Sequence, residues 1–150
     1  MDTLPRVIRI ELTVEISRPV DEVFDALTDL ERLPEWQHSC VSSESDGELA
    51  EGARIRERRR VMGREIENEL EVVAFERPQR LALEARKGPV PFGVDHRLAE
   101  NDGTTVVHVT AEAKPGTFMK LAEPVLARQG EQELRADFQR LKDLLEAGAA

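Results

Sequence analysis

The chain has 150 residues, 40% of them apolar and 34% charged, and carries a net charge of −9. That length suits one domain with a real core, and the balance is that of a folded, well-solvated protein rather than a disordered one. The acidic charge argues against nucleic acid and against stable association with an anionic membrane, because both need clustered Lys and Arg.

At the start, Met1 to Arg9 has no apolar stretch of signal-peptide length, and no run approaches the roughly 20 apolar residues of a membrane span. A soluble, cytoplasmic protein is therefore expected. Ile8, Ile10, Leu12, Val14 and Ile16 alternate with Arg9, Glu11, Thr13 and Glu15, which predicts a half-buried antiparallel strand. Ser17-Arg18-Pro19 stops it. Pro19 suits the first turn of a helix, Asp21 and Glu22 its positive end, and Val20, Val23, Phe24 and Leu27 its buried stripe. A second short helix is expected over about Leu30 to Trp36, interrupted by Pro34.

A strand near His38–Ser45 contains Cys40, the one cysteine, so an internal disulfide is excluded and an inert core role is favoured. Two strands follow, Arg54–Met62 and Glu65–Phe75, joined by a Gly63-Arg64 loop with Gly first. That register sets Arg56 opposite Glu71, Arg58 opposite Glu69 and Arg60 opposite Glu67, a solvated ladder of opposite charges worth about 0.2–1 kcal/mol per pair. Strands over Arg80–Lys87 and Phe92–Glu100 come next, and Asn101-Asp102-Gly103 reads as a three-residue hairpin loop leading into Thr104–Ala113. Pro115-Gly116 ends the sheet, and Thr117 caps a long final helix. Its stripe runs through Phe118, Leu121, Ala122, Val125, Leu126, Leu134, Phe138, Leu141 and Leu145, with a kink or break expected at Pro124 and Gly130. The class is α+β, an antiparallel sheet of about seven strands burying the stripe of a long C-terminal helix.

This order, with several local motifs, resembles the START-like superfamily, which includes Bet v 1 proteins, START domains and polyketide cyclase/dehydrase-like proteins. Ile16 to Asp29 is similar to the family's opening strand-to-helix segment, and Leu33-Pro34-Glu35-Trp36 to its second helix. Asp102-Gly103-Thr104-Thr105-Val106 resembles the start of the last strand, and Leu134 to Glu146 the closing helix. The resemblance covers nearly the whole chain and implies the helix-grip fold, a curved sheet around the last helix with two short helices after the first strand. It also implies a small hydrophobic ligand as partner, no cofactor, and a monomer or homodimer.

The hairpin registers give the inward faces. Opposite the charge ladder lie Ile55, Glu57, Arg59, Val61, Ile66, Asn68, Leu70 and Val72. In the last hairpin a three-residue loop sets His96 opposite His108 and Leu98 opposite Val106, so Phe92, Val94, His96, Leu98, Val106, His108, Thr110 and Glu112 would face in. Val107, Val109 and Ala111 are also apolar, so the opposite assignment stays open. Apolar faces with a few polar interruptions have the composition of a ligand pocket.

The candidate ligand-binding residues are Trp36, Glu57, Arg59, Asn68, Leu70, Phe92, His96 and His108. Arg59 has two readings: it anchors a ligand oxygen with Asn68, or it pairs with Glu57 as structure. His96 and His108 suit a ligand oxygen or a proton relay. They make a poor metal site, since a third ligand from Glu112 or His38 is not evident, and no metal is expected.

Aromatic cyclases of the superfamily use cavity Arg, Ser and Tyr groups. This chain has no tyrosine, and Leu70 and Val72 stand where the Ser and Arg are expected. Binding of a small hydrophobic molecule, as carrier or sensor, is the leading expectation. A cyclase/dehydrase-like enzyme is the alternative, and a protein-interaction role such as chaperone activation the third.

Overall fold

The alternation at the start of the chain forms β1, Ile8–Ile16, in a computed structural model that describes residues 7–114 and 123–148. Its Leu12 and Ile16 are buried, and the odd-numbered charged residues face solvent. Pro19 precedes α1, Val20–Thr28, which buries Val23, Phe24 and Leu27 and keeps Asp21 and Glu22 in its first turn. The Glu100 carboxylate accepts the backbone N–H of Val20 at 2.7 Å, tying the helix start to the sheet. A 3-10 helix, Leu30–Glu35, follows and contains Pro34.

Six strands complete the sheet: β2 (Cys40–Ser45), β3 (Arg54–Val61), β4 (Arg64–Glu76), β5 (Arg80–Lys87), β6 (Phe92–Asn101) and β7 (Thr104–Ala113). The curved sheet is antiparallel throughout, in the order β1-β7-β6-β5-β4-β3-β2, and α2, Glu123–Glu146, lies against its inner face. This is the helix-grip architecture. Phe138, Leu141 and Leu145 bury the helix stripe among core residues from the strands and α1. Polar ties hold the helix end: Lys142 Nζ donates to the Glu15 carbonyl at 2.7 Å, and Arg18 Nε donates to the Leu145 carbonyl at 2.8 Å.

Four expectations change. The first hairpin turns at Met62-Gly63, both in left-handed backbone (φ 53° and 79°), so the favoured primed turn starts one residue earlier than expected. Its rungs are Arg56–Glu69, Arg58–Glu67 and Arg60–Glu65, a slip of two residues that leaves every side chain on its expected face. The last hairpin turns on two residues, Asp102-Gly103 (φ 51° and 79°), rather than three. That slip is one residue, so it turns β7 over: His96 faces Val109, Arg97 faces His108, and Val107 and Val109 are fully buried.

The other two concern α2. The helix runs unbroken through Gly130, where a Cβ would sit 3.2 Å from Ile10 Cδ1. The glycine brings helix and β1 together and does not break the helix. Val125, placed on the stripe by its spacing, is 57% exposed. The expected breaker Pro115-Gly116, the cap Thr117, the stripe residues Phe118, Leu121 and Ala122, and the Leu126 side chain lie outside the described residues.

The register of β7 is directly testable. Val107→Ala should cost on the order of 2 kcal/mol in urea unfolding, while His108→Ala should stay within about 0.5 kcal/mol. The reverse ranking would restore the three-residue loop.

Candidate functional site

Between the sheet, the 3-10 helix and α2 the packing leaves a cavity of ≈ 180 Å³. Leu70, Leu81, Leu83, Phe92, Val94 and Phe138 line its apolar part, and Ser43, Glu57, Arg59, His96, Asp137 and Gln37 interrupt it. Two further hollows lie elsewhere. One, of ≈ 450 Å³, is a charged recess around β5 and β6, bordered by Arg80, Glu84, Arg86, Asp95 and Lys114. The other, of ≈ 250 Å³, is a groove between α1 and α2 rimmed by Glu22, Asp25, Asp29 and Glu35. Leu83, Phe92 and Val94 line both the inner cavity and the recess at β5 and β6.

The polar wall is built from two strands. Glu57 and Arg59 stand two residues apart on β3, so both side chains point under the sheet. Glu57 is 3% exposed, and its Oε2 accepts from Arg59 Nε at 2.9 Å and from Asn68 Nδ2 at 2.8 Å. Asn68 stands directly across the hairpin from Glu57, a pairing that exists only in the Met62-Gly63 register. It braces the carboxylate and is not itself part of the cavity lining. Behind it, a Cβ on Gly88 would fall 2.2 Å from Asn68 Oδ1, at a backbone φ of 146°, so this close approach requires glycine.

Arg59 continues the network. Its Nη1 donates to Ser39 Oγ at 2.9 Å and its Nη2 to Gln37 Oε1 at 2.6 Å. Burial works against the guanidinium charge, but the Glu57 hydrogen bond and charge outweigh it and raise the pKa above the ordinary arginine value. Arg59 thus pairs with Glu57, as the structural reading has it, and it also lines the cavity. Cys40 lies across from Arg59 on β2, and burial pushes its thiol up, as suits an unreactive core residue.

His96 is buried on the cavity wall, with Nδ1 2.9 Å from the Leu81 carbonyl and its ring 6.0 Å from that of Phe138. A carbonyl only accepts, so Nδ1 carries the proton and Nε2 keeps its lone pair. Burial pushes the imidazole below its ordinary value of 6.5, against the Leu81 hydrogen bond, so the ring is neutral at pH 7. Trp36 packs edge-on to Phe138 with ring centroids 5.2 Å apart; its Nε1 is buried without a hydrogen-bond partner among the described residues. Leu70 and Phe92 both line the cavity.

His108 does not. It lies on the outer face with its side chain 48% exposed, and its Nδ1 is 3.0 Å from Thr13 Oγ1. The expected His96–His108 pair is dissolved by the one-residue register slip. His38 also stands apart, with Nδ1 3.0 Å from Asp137 Oδ1. Val61, expected to face in, is exposed near the hairpin tip.

Asp137, Gln37 and Ser43 escaped the sequence reading. Asp137 left a signal, an acidic residue beside Phe138 in the buried stripe of α2. Ser43 and Gln37 left none, because an isolated polar residue in a strand or loop carries no period.

A family model described as "polyketide cyclase / dehydrase and lipid transport" matches residues 7–146. The chain belongs to this family. A search of curated proteins found no significant match. Among solved structures, a protein from Thermus thermophilus is 16% identical with a TM-score of 0.79, covering 95% of this chain and 99% of its own. A START superfamily protein from Mycobacterium smegmatis is 13% identical with a TM-score of 0.69, covering 93% and 94%. The di-domain ARO/CYC StfQ of the steffimycin biosynthetic pathway is 16% identical with a TM-score of 0.71, covering 93% of this chain and 45% of its own. The family match places the chain in the START-like superfamily; at such identities the structural matches carry the fold alone. No helix among the described residues is long and apolar enough to cross a membrane.

The network makes a stability prediction. Arg59→Met strands the Glu57 charge under the sheet and should cost about 3–5 kcal/mol in denaturant unfolding. Adding Glu57→Gln removes that charge while keeping an acceptor for Asn68, and should recover more than half the loss. A double variant no more stable than Arg59→Met alone contradicts the pairing.

Proposed function

We propose that the chain binds a small hydrophobic molecule, a lipid, polyketide or similar compound, in the cavity between the sheet and α2, as carrier or sensor. The observation that supports this most is the interior itself. Close-packed cores leave few voids larger than a water molecule, yet ≈ 180 Å³ stays open here beneath apolar side chains and an organised polar wall. The family description, which pairs cyclase/dehydrase with lipid transport, points the same way.

The volume bounds the ligand. It is below the roughly 300–1,000 Å³ of sites for drug-sized molecules. The ligand is therefore small, or the side chains at β5 and β6 give way to admit it. Its contacts in this reading are Trp36, Glu57, Arg59, Leu70, Phe92 and His96. Asn68 serves by fixing Glu57, and His108 has no part.

A second reading, a cyclase/dehydrase-like enzyme, is favoured by one feature. A neutral imidazole with a free Nε2 on the cavity wall is the usual form of a general base. Against it, the Leu70 and Val72 positions are fully apolar and buried, and the chain has no tyrosine to polarise a carbonyl. Binding is the reading with fewer requirements.

Native mass spectrometry of the freshly purified protein should show a bound small molecule that organic extraction removes. Trp36, the sole tryptophan, should report added naphthalene through saturable quenching. A bare mass together with unsaturable quenching contradicts the proposal.

A further inference from the structure

Three of the polar atoms left open on the cavity wall are acceptors, and they stand beside two neutral groups with O–H or N–H to give, Ser43 and Gln37. Glu57 receives both of its hydrogen bonds on Oε2, and Asp137 receives its bonds from His38 and Arg140 on Oδ1. Each carboxylate thus keeps an oxygen without a partner among the described residues. His96 adds the Nε2 lone pair, since Nδ1 is committed to the Leu81 carbonyl. All three residues line the cavity, and each is at least nine-tenths buried.

Charge supports the same conclusion. Of the described residues that line this wall, two are carboxylates and one is a guanidinium; Arg59 already donates to Glu57, Ser39 and Gln37, and Arg140, from outside the lining, donates to Asp137. A ligand carboxylate would bring a third negative charge into a buried site whose lining cation is already engaged, at a high desolvation cost. A hydroxyl, by contrast, donates to one of the open acceptors without adding charge.

We propose that this cavity selects uncharged apolar molecules bearing a hydroxyl or phenol donor, read by His96 Nε2 and the Glu57 and Asp137 carboxylates, and rejects carboxylates. The inference rests on the binding reading above and narrows it: free fatty acids and other apolar acids are excluded, while alcohols, phenols and enols are admitted. It also revises the expectation that Arg59 anchors a ligand anion.

Three probes of one shape separate the possibilities by isothermal titration calorimetry at pH 7.5: naphthalene, 2-naphthol and 2-naphthoate. The expected order is 2-naphthol tighter than naphthalene by about tenfold, the worth of one buried hydrogen bond to a well-placed acceptor, with 2-naphthoate weakest. His96→Leu should remove most of the advantage of 2-naphthol over naphthalene. The ranking on the unaltered protein stands as a test even if that variant folds poorly. Binding of 2-naphthoate as tight as or tighter than 2-naphthol overturns the inference alone. Failure of all three probes overturns the binding reading, and this inference with it.

Discussion

A carboxylate beneath a β-sheet keeps its charge cheaply only where donors meet it, and Glu57 is met from two sides. Arg59 reaches it from the same strand and Asn68 from the neighbouring one. Arg59 then extends to Ser39 and Gln37, so the chain leading from the 3-10 helix into β2 is held to β3 through one guanidinium. Gly88 lets the chain after β5 close over Asn68. The position of one buried charge thus couples β2, β3, β4 and the end of β5, and it keeps apolar side chains from filling that wall. The cavity exists partly because this network occupies the place where a core would otherwise collapse.

How far the sequence revealed this depends on which period carries the information. β1 and the charged face of β3 and β4 alternate cleanly, so their faces were legible even though the hairpin register was displaced by two residues. At β7 both faces are apolar enough to be buried, through Val107 and Val109 or through Val106. There only the turn decides, and a primed two-residue turn at Asp102-Gly103 reversed the assignment of His108. Glu57, Arg59 and Asn68 were found because charged or amide groups interrupt an otherwise apolar face. Asp137 stands beside Phe138, and the period of the helix stripe reports only its apolar members.

The same constraint frames the choice between holding and transforming a ligand. The family includes both roles in its description, and the fold is common to proteins of different function. What this chain adds is a neutral His96, two open carboxylate oxygens and an engaged Arg59 around a small cavity. Such a wall orients a hydroxyl well. Its one lining cation, Arg59, is engaged by Glu57, Ser39 and Gln37, which leaves a developing oxyanion only neutral donors such as the Ser43 hydroxyl. Recognition therefore makes fewer demands on these residues than catalysis does.

In the binding reading the ligand lies under the sheet, against Phe138, and not in the groove between α1 and α2 or the charged recess around β5 and β6. Two-dimensional amide NMR of the protein titrated with naphthalene tests this most directly. The expected shifts cluster at Leu70, Leu81, Val94, His96 and Phe138, which surround the inner cavity. Shifts confined to Glu22, Ala26 and Leu144, or to Arg86 and Lys114, would contradict it.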